Sequence, residues 1–149
     1  MKKPSKIGLN IAQIHQISDR LFQRKLREND LADLNPSQGR VLFALKEQDL
    51  ISMQELSDRT SLSNSTLTVV IDKLESKKLV KRVPSKKDRR KHLIKLLDKF
   101  QQDFERYFKI VLEMSSIYYE GFSPTEIDEI EENIANILKN LEKQERIGA

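Results

Sequence analysis

The sequence contains no cysteine and little of the glycine and proline that punctuate turn-rich folds. The absence of cysteine excludes disulfides, thiolate zinc sites and cysteine-based redox switches. Four glycines and four prolines in 149 residues are too few for a collagen-like, disordered or all-β turn-rich protein. Apolar runs such as Val69-Val70-Ile71 are far shorter than the roughly 18 residues of a membrane-spanning helix. We therefore expect a soluble, cytoplasmic protein, without the apolar run of a signal peptide near its start.

Charge is abundant but unevenly placed along the chain. Charged residues make up 34% of the sequence, against about 25% in an average domain, which predicts long solvated helix faces. The net charge is only +4. Eight basic residues nevertheless lie between Lys81 and Lys95, opposed by the single acid Asp88. The segment from Ser123 onward is instead mainly acidic. A basic segment this short indicates contact with a polyanion.

Apolar residues recur at helical spacing in six segments of the chain. Three of these segments follow capping-box residues, at Asn35, Ser52 and Ser123, and Asp98 is the expected cap of a fourth. The predicted helices cover residues 5–28, 36–48, 52–59, 63–77, 98–119 and 123–146.

Between Leu79 and Leu96 the periodicity changes from helical to extended. Two short β-prone runs, 79–83 and 92–96, flank a basic loop and predict a hairpin. Within that loop, strand alternation would put Arg89 and Lys91 on the opposite side from Arg90. A short helix, a tight turn, a second helix and a hairpin follow one another as in a winged helix-turn-helix. The expected fold class is mainly α with a small β-wing, with the winged helix-turn-helix at 35–96 and a linking helix at 98–119.

The second helix of the predicted helix-turn-helix begins with short polar residues. Such side chains suit base edges and phosphate oxygens in a major groove. The alternative interpretation is that they are ordinary helix caps, a role that Ser63 in particular fits. The residues are Ser63, Asn64, Ser65, Thr66 and Thr68.

These residues resemble the MarR family of bacterial transcriptional regulators. The stretch from Leu62 to Glu75, continuing from Leu79 to Arg82, is similar to the recognition helix and first wing strand of that family. The sequence Asp88-Arg89-Arg90, followed by Leu93 and Leu96, is similar to its wing signature. The order of helices matches too, so the resemblance covers residues 1–149 as a single domain.

The resemblance implies a role for two wing residues and for their basic neighbours. Arg90 would enter the minor groove and Asp88 would support the wing, which agrees with the preference of a narrow groove for arginine. The other basic residues would contact phosphates. The full predicted DNA-binding set is Ser63, Asn64, Ser65, Thr66, Thr68, Lys73, Arg82, Lys86, Lys87, Asp88, Arg89, Arg90 and Lys91.

The chain departs from the family pattern at several positions. Val69 stands where the family often has a basic residue, which leaves an apolar contact to a thymine methyl as the alternative to a polar one. Lys78 stands where the family usually has a helix-ending glycine, so a strained or slightly different turn is expected there. Leu97 and Phe100 replace the usual threonine and glycine after the second wing strand.

The first and last helices, 5–28 and 123–146, carry narrow apolar stripes that are typical of an a/d seam. We predict that they form a homodimer interface, and the alternative is packing onto the chain's own core. The predicted dimerisation residues are Ile7, Ile11, Ile14, Ile127, Ile130, Ile134, Ile137 and Leu141.

The sequence thus predicts a sequence-specific DNA-binding regulator, in its simplest form a repressor, that binds palindromic double-stranded DNA as a homodimer. The alternative is a non-specific DNA-architectural protein without effector control. An enzyme is not expected, because no catalytic, phosphate-loop or metal-ligand motif is found, and no cofactor or metal is expected either. The resemblance implies a small aromatic or phenolic effector. No motif identifies its pocket, and the stripe of Phe100, Phe104, Tyr107 and Phe108 fits either that pocket or the core.

Overall fold

A computed structural model describes residues 3–148 of the chain. Within that range it contains six α-helices, as the sequence predicts, and one three-stranded antiparallel sheet. Two compact units divide the chain, one ending at Leu112 and the other beginning at Glu113. The elements are α1 (Ile7–Glu28), α2 (Pro36–Glu47), β1 (Ile51–Ser52), α3 (Met53–Thr60), α4 (Asn64–Ser76), β2 (Val80–Pro84), β3 (His92–Leu96), a 3₁₀ helix (Asp98–Gln102), α5 (Phe104–Tyr118) and α6 (Pro124–Gly148).

Most helix starts are set by side-chain caps, as the sequence indicates. The Asn35 side chain accepts a hydrogen bond from the Gln38 amide at 2.9 Å, and the Gln38 side chain accepts one from the Asn35 amide. Ser123 and Glu126 form the same reciprocal pair at the start of α6. The expected cap at Asp98 is wrong, because the 3₁₀ helix begins after Leu97 without a side-chain cap. The predicted helix 98–119 is divided in the structure into this 3₁₀ helix and α5.

The sheet has the order β1-β3-β2, so β3 is its central strand. The hairpin of β2 and β3 is confirmed, with Arg82 opposite Ile94. The two-residue strand β1 was not predicted, and it pairs Ile51 with Ile94. The Asp49 carboxylate accepts a hydrogen bond from the Leu96 amide at 2.8 Å and thereby ties the end of β3 to the segment before β1.

The turn between α4 and β2 is formed by Lys78, whose φ is +60°. L-residues reach this left-handed region only at a cost of about 1–2 kcal/mol, which is why glycine is common just after a helix. The expected strain at Lys78 is thus present. The turn nevertheless closes as glycine-ended turns do, because the Leu79 amide donates to the Leu74 carbonyl at 3.0 Å.

The core of the first unit includes a close contact between α2 and α5. Tyr107 is buried and packs edge-on against the rings of Phe22 and Phe100. Burial raises the pKa of its phenol far above the usual range, although the positive charge of Arg40 opposes this shift. Gly39 of α2 leaves the space that the Tyr107 ring occupies. A Cβ atom at Gly39 would lie 2.6 Å from the Tyr107 Oη atom and 2.7 Å from its Cε2 atom.

The substitution Gly39→Ala is expected to destabilise the protein by about 1–3 kcal/mol, because the added methyl overpacks this contact. Gly8→Ala is the matched control. Gly8 is also helical, but nothing lies within 4 Å of its added Cβ, so alanine's helix propensity should stabilise by about 0.5–1 kcal/mol. Urea denaturation of the two variants measures both changes. Equal effects of the two substitutions would show that Tyr107 does not require the glycine.

Two helices carry apolar surface that the chain itself leaves exposed. The residues of α1 from Ile7 to Ile17 are all exposed, including the predicted Ile7, Ile11 and Ile14. In the second unit α6 buries none of its described residues. Ile134 and Leu141 are each 60% exposed, whereas Ile127, Ile130 and Ile137 are half-buried. Leu138, which the sequence analysis did not single out, is exposed between the two.

Candidate nucleic-acid interface

The helix α4 is held by its apolar face and exposes the opposite one. Its inward positions Leu67, Ile71 and Leu74 are fully buried, and Val70 is nearly so. Positions 65, 68, 69 and 72 share the exposed face because they follow the helical repeat. We call Ser65, Thr68, Val69 and Asp72 the reading face of α4.

Some polar side chains at the start of α4 are committed to its cap. The Ser63 Oγ atom accepts a hydrogen bond from the Thr66 amide at 3.2 Å and lies 2.9 Å from the Thr66 hydroxyl oxygen. Capping, the alternative interpretation, is therefore correct for Ser63, whether or not its hydroxyl also meets a ligand. The Ser65 hydroxyl is hydrogen-bonded to the same Ser63 hydroxyl, with the two Oγ atoms 3.2 Å apart.

Thr68 presents a defined chemical group on the reading face. Its hydroxyl donates to the Asn64 carbonyl at 2.9 Å, so the hydroxyl proton is occupied. What remains is a pair of acceptor sites and a methyl group. In a major groove, acceptors suit the amino groups of adenine and cytosine. Next to it, Val69 is 54% exposed and offers only apolar surface.

The basic loop of the hairpin forms a tight turn at residues 89–90, before β3 begins at His92. The Lys91 amide donates to the Asp88 carbonyl at 3.0 Å, and the Ser85 amide donates to the Lys91 carbonyl at 2.9 Å. The expected strand alternation is therefore wrong for Arg89, Arg90 and Lys91, because this turn bends the backbone that alternation assumes to be extended. We call residues 85–91 the wing turn.

Asp88 organises the wing turn, and Arg90 projects from it. The Asp88 Oδ1 atom accepts a hydrogen bond from the Arg90 amide at 3.0 Å, an Asx turn of the kind that aspartate favours. The Arg90 side chain is 96% exposed, and its Nε atom lies 3.8 Å from the same carboxylate oxygen. The remaining predicted wing contacts are also exposed. These are Lys86, Lys87, Arg89 and Lys91, and Lys73 of α4 is exposed as well.

Arg82 is placed differently from the other basic residues of the predicted DNA-binding set. Its guanidinium binds two carboxylates of α4, with Nη2 at 2.6 Å from the Asp72 Oδ1 atom and Nη1 at 2.9 Å from the Glu75 Oε1 atom. Burial lowers the pKa of Arg82, but hydrogen bonds and attraction from Asp72 and Glu75 outweigh burial and raise it overall. Neither carboxylate was singled out from the sequence, although their i, i+3 spacing on α4 is a signal of a shared partner.

Outside this surface, the described part of the chain shows little that suggests other chemistry. Residues 3–148 contain no group of three or more histidine or acidic side chains that could hold a metal ion. Over the same range, no helix has the length and apolar character needed to cross a membrane. His15 lies on the exposed side of α1, where its Nε2 atom is 3.6 Å from Asp19.

The predicted aromatic stripe divides into a buried and an exposed part. Phe100 and Tyr107 are buried in the core. Phe104 and Phe108 are stacked at 5.8 Å between ring centroids, and Phe108 is exposed. The Lys46 ammonium lies 4.9 Å from the Phe104 ring centroid. This pair of rings, of which Phe104 is half-buried, has with its adjacent cation the chemistry that attracts an aromatic anion.

The part of the chain that carries this surface is similar to known proteins. The model of the MarR family matches residues 34–92. A transcriptional repressor of Pseudomonas putida, IacR, is 24% identical over 132 residues, covering 89% of this chain and 77% of that protein. The repressor MdtR of Bacillus subtilis is 32% identical over 89 residues, or 57% of each chain.

Solved structures show the same fold. A mutant MarR of E. coli in complex with operator DNA aligns with a TM-score of 0.78 and 26% identity, covering 89% of this chain and 93% of that one. The regulator BldR of Sulfolobus solfataricus aligns with a TM-score of 0.79 and 27% identity, covering 94% and 99% of the two chains.

Proposed function

We propose that this chain, whose residues 34–92 match the MarR family, is a transcriptional repressor that binds palindromic operators as a cytoplasmic homodimer. The observation that carries this proposal is the presence of the reading face of α4 and the basic wing turn in one compact unit. The reading face supplies groups that can contact base edges, and the wing turn supplies positive charge that can contact phosphates and enter a groove. Family and fold are those of transcriptional regulators, a class of proteins that are not enzymes.

Roles within the interface follow from the chemistry of each side chain. Thr68 and Ser65 would contact base edges, with Val69 against a thymine methyl. Lys73, Lys86, Lys87, Arg89 and Lys91 would contact phosphates, and Arg90 would enter the minor groove. Asn64 and Thr66, at the start of α4, would contact the DNA backbone close to the N-terminus of this helix.

The homodimer is proposed from the exposed apolar stripes of α1 and α6, each of which a second copy would cover. Single exposed apolar residues are ordinary, but a periodic series on one helix is typical of an interface. Two-fold symmetry would then present two reading faces to half-sites about 10 bp apart or a multiple of that spacing. Residues 1–149 would act as one functional domain.

A small aromatic or phenolic anion is the proposed effector. What supports it is the stacked pair Phe104 and Phe108 beside the Lys46 ammonium, which combines aromatic surface with a positive charge.

Two alanine substitutions separate base contacts from phosphate contacts. Thr68→Ala removes the acceptor and the methyl from the reading face, so it should weaken operator binding by roughly 1–3 kcal/mol and relax sequence preference. Lys86→Ala should weaken all duplexes alike and lower the slope of affinity against salt by about one. Titrations on an operator and on a scrambled duplex measure both effects. Equal losses on the two duplexes for Thr68→Ala would contradict the reading role of α4.

A further inference from the structure

We propose that Arg82 is a positioning residue that fixes the wing against the reading helix through Asp72 and Glu75, rather than a phosphate contact. We call these three residues the Arg82 clamp. The inference rests on the proposed DNA-binding function, and it assigns Arg82 a role other than the one predicted from the sequence.

Three short contacts join β2 to α4 within the clamp. The guanidinium binds Asp72 at 2.6 Å and Glu75 at 2.9 Å through its two terminal nitrogens. The second carboxylate oxygen of Glu75 accepts a hydrogen bond from the Arg82 backbone amide at 3.0 Å. Glu75 thus holds both the side chain and the backbone of the same strand residue. This leaves the Arg82 side chain only 28% exposed, in contrast to 96% for Arg90.

The clamp also neutralises a negative charge on the reading face. Asp72 lies on that face beside Val69, where its carboxylate would meet the negative charge of a DNA backbone. Arg82 neutralises this carboxylate from the side of the wing. A guanidinium already shared by two carboxylates gains little from a phosphate, because it would first have to leave both of them.

The position of β2 at the sheet edge explains why the wing needs such an attachment. β2 pairs on one side with β3, and on its other side the Arg82 amide is taken by Glu75. Since the basic wing turn follows β2 directly, the clamp lies between the reading helix and the groove-facing turn. Loss of the clamp should therefore let the two surfaces move independently and lower the preference for the correct sequence.

The conservative substitution Arg82→Lys separates the two roles. A phosphate contact needs mainly a charge, whereas bridging two carboxylates needs the planar, multiply donating guanidinium. We expect Arg82→Lys to weaken binding to a site that the wild type selects from a random duplex library by about tenfold. Binding to a scrambled duplex should change less than twofold, and the salt slope should stay unchanged. A phosphate contact predicts the opposite result, near wild-type binding for Arg82→Lys and a salt slope lowered by about one for Arg82→Gln.

Glu75→Gln is the second variant, and its sign is decisive. Removing an acid near DNA by itself strengthens binding, but loss of the clamp should weaken binding to the selected site by about tenfold. The double variant with Arg82→Lys should bind no more weakly than the weaker single variant, because both break one network. Glu55→Gln, an exposed acid of α3, is the matched control and should leave binding unchanged or slightly tighter. Tighter binding by Glu75→Gln would overturn the proposal.

A measurement without DNA separates failure of the clamp from failure of the proposed function. Hydrogen exchange of the Arg82 amide, followed by NMR, should be at least tenfold faster in Glu75→Ala than in the wild type. The Lys81 amide, opposite Lys95 in the sheet, is the internal control and should not change. Equal Arg82 rates in the two proteins would overturn the clamp even if the wild type binds DNA. If the wild type shows no sequence preference, the proposed function fails while this exchange result still decides the clamp.

Discussion

Replacing Ile134 and Leu141 together by glutamate is expected to convert the protein from a dimer into a monomer and to abolish tight operator binding. Both side chains are 60% exposed in the isolated chain, so the substitutions leave its core intact. In the dimer they would put carboxylates into an apolar seam, at a cost of about 4 kcal/mol or more, or roughly a thousandfold in dissociation constant. Sedimentation at micromolar concentration measures the change against the chain mass of 17.4 kDa.

The matched control for this prediction lies on the same helix. Asn136→Glu with Asn140→Glu adds the same two charges to α6, but to the side away from Ile134. This variant should remain dimeric and retain operator binding. If wild-type protein sediments as a monomer, or if both double variants behave alike, the proposed role of the α6 stripe is wrong.

The second large effect is expected at Arg90. Its side chain projects from a turn whose backbone Asp88 fixes, which places a nearly free guanidinium at the end of the wing. A narrow minor groove favours this weakly hydrated, planar group over the ammonium of lysine. Arg90→Lys should therefore weaken operator binding by about tenfold or more, while dimerisation and thermal stability stay near the wild type.

Arg89→Lys is the control, because Arg89 is exposed in the same turn and a phosphate contact needs mainly its charge. It should be nearly silent in the same salt titration on one operator. Equal weakening by the two substitutions would mean that the wing is a basic surface without a groove-reading residue.

Local sequence signals determine the helical part of this fold well. The capping residues Asn35, Ser52, Ser63 and Ser123 each accept a hydrogen bond from the amide three positions on, as the sequence predicts. These interactions span a few residues, so no knowledge of tertiary structure is needed to infer them. The strand β1 could not be inferred in this way, because two residues carry no periodicity and their extended form depends on pairing with β3.

The candidate site shows the same division between local and tertiary information. Exposure of the reading face follows from the helical repeat of its apolar neighbours, and the sequence predicts it. The surroundings of Arg82 depend on where β2 packs against α4, so the sequence alone predicts a phosphate contact for this basic residue in a basic segment. The wing turn differs from the expected strand because hydrogen bonds of Asp88 and Ser85 bend the backbone there.

Selection of bound sites from a random duplex library, followed by footprinting of the selected sequence, tests the central claim most directly. A two-fold dimer that reads bases predicts an inverted repeat, with half-site centres about 10 bp apart or a multiple of that spacing. The footprint should be symmetric. Selection with the Thr68→Ala variant should give a weaker sequence preference within each half-site. Retained duplexes without any shared sequence would indicate the non-specific architectural protein instead, and failure to retain any duplex at moderate salt would contradict DNA binding altogether.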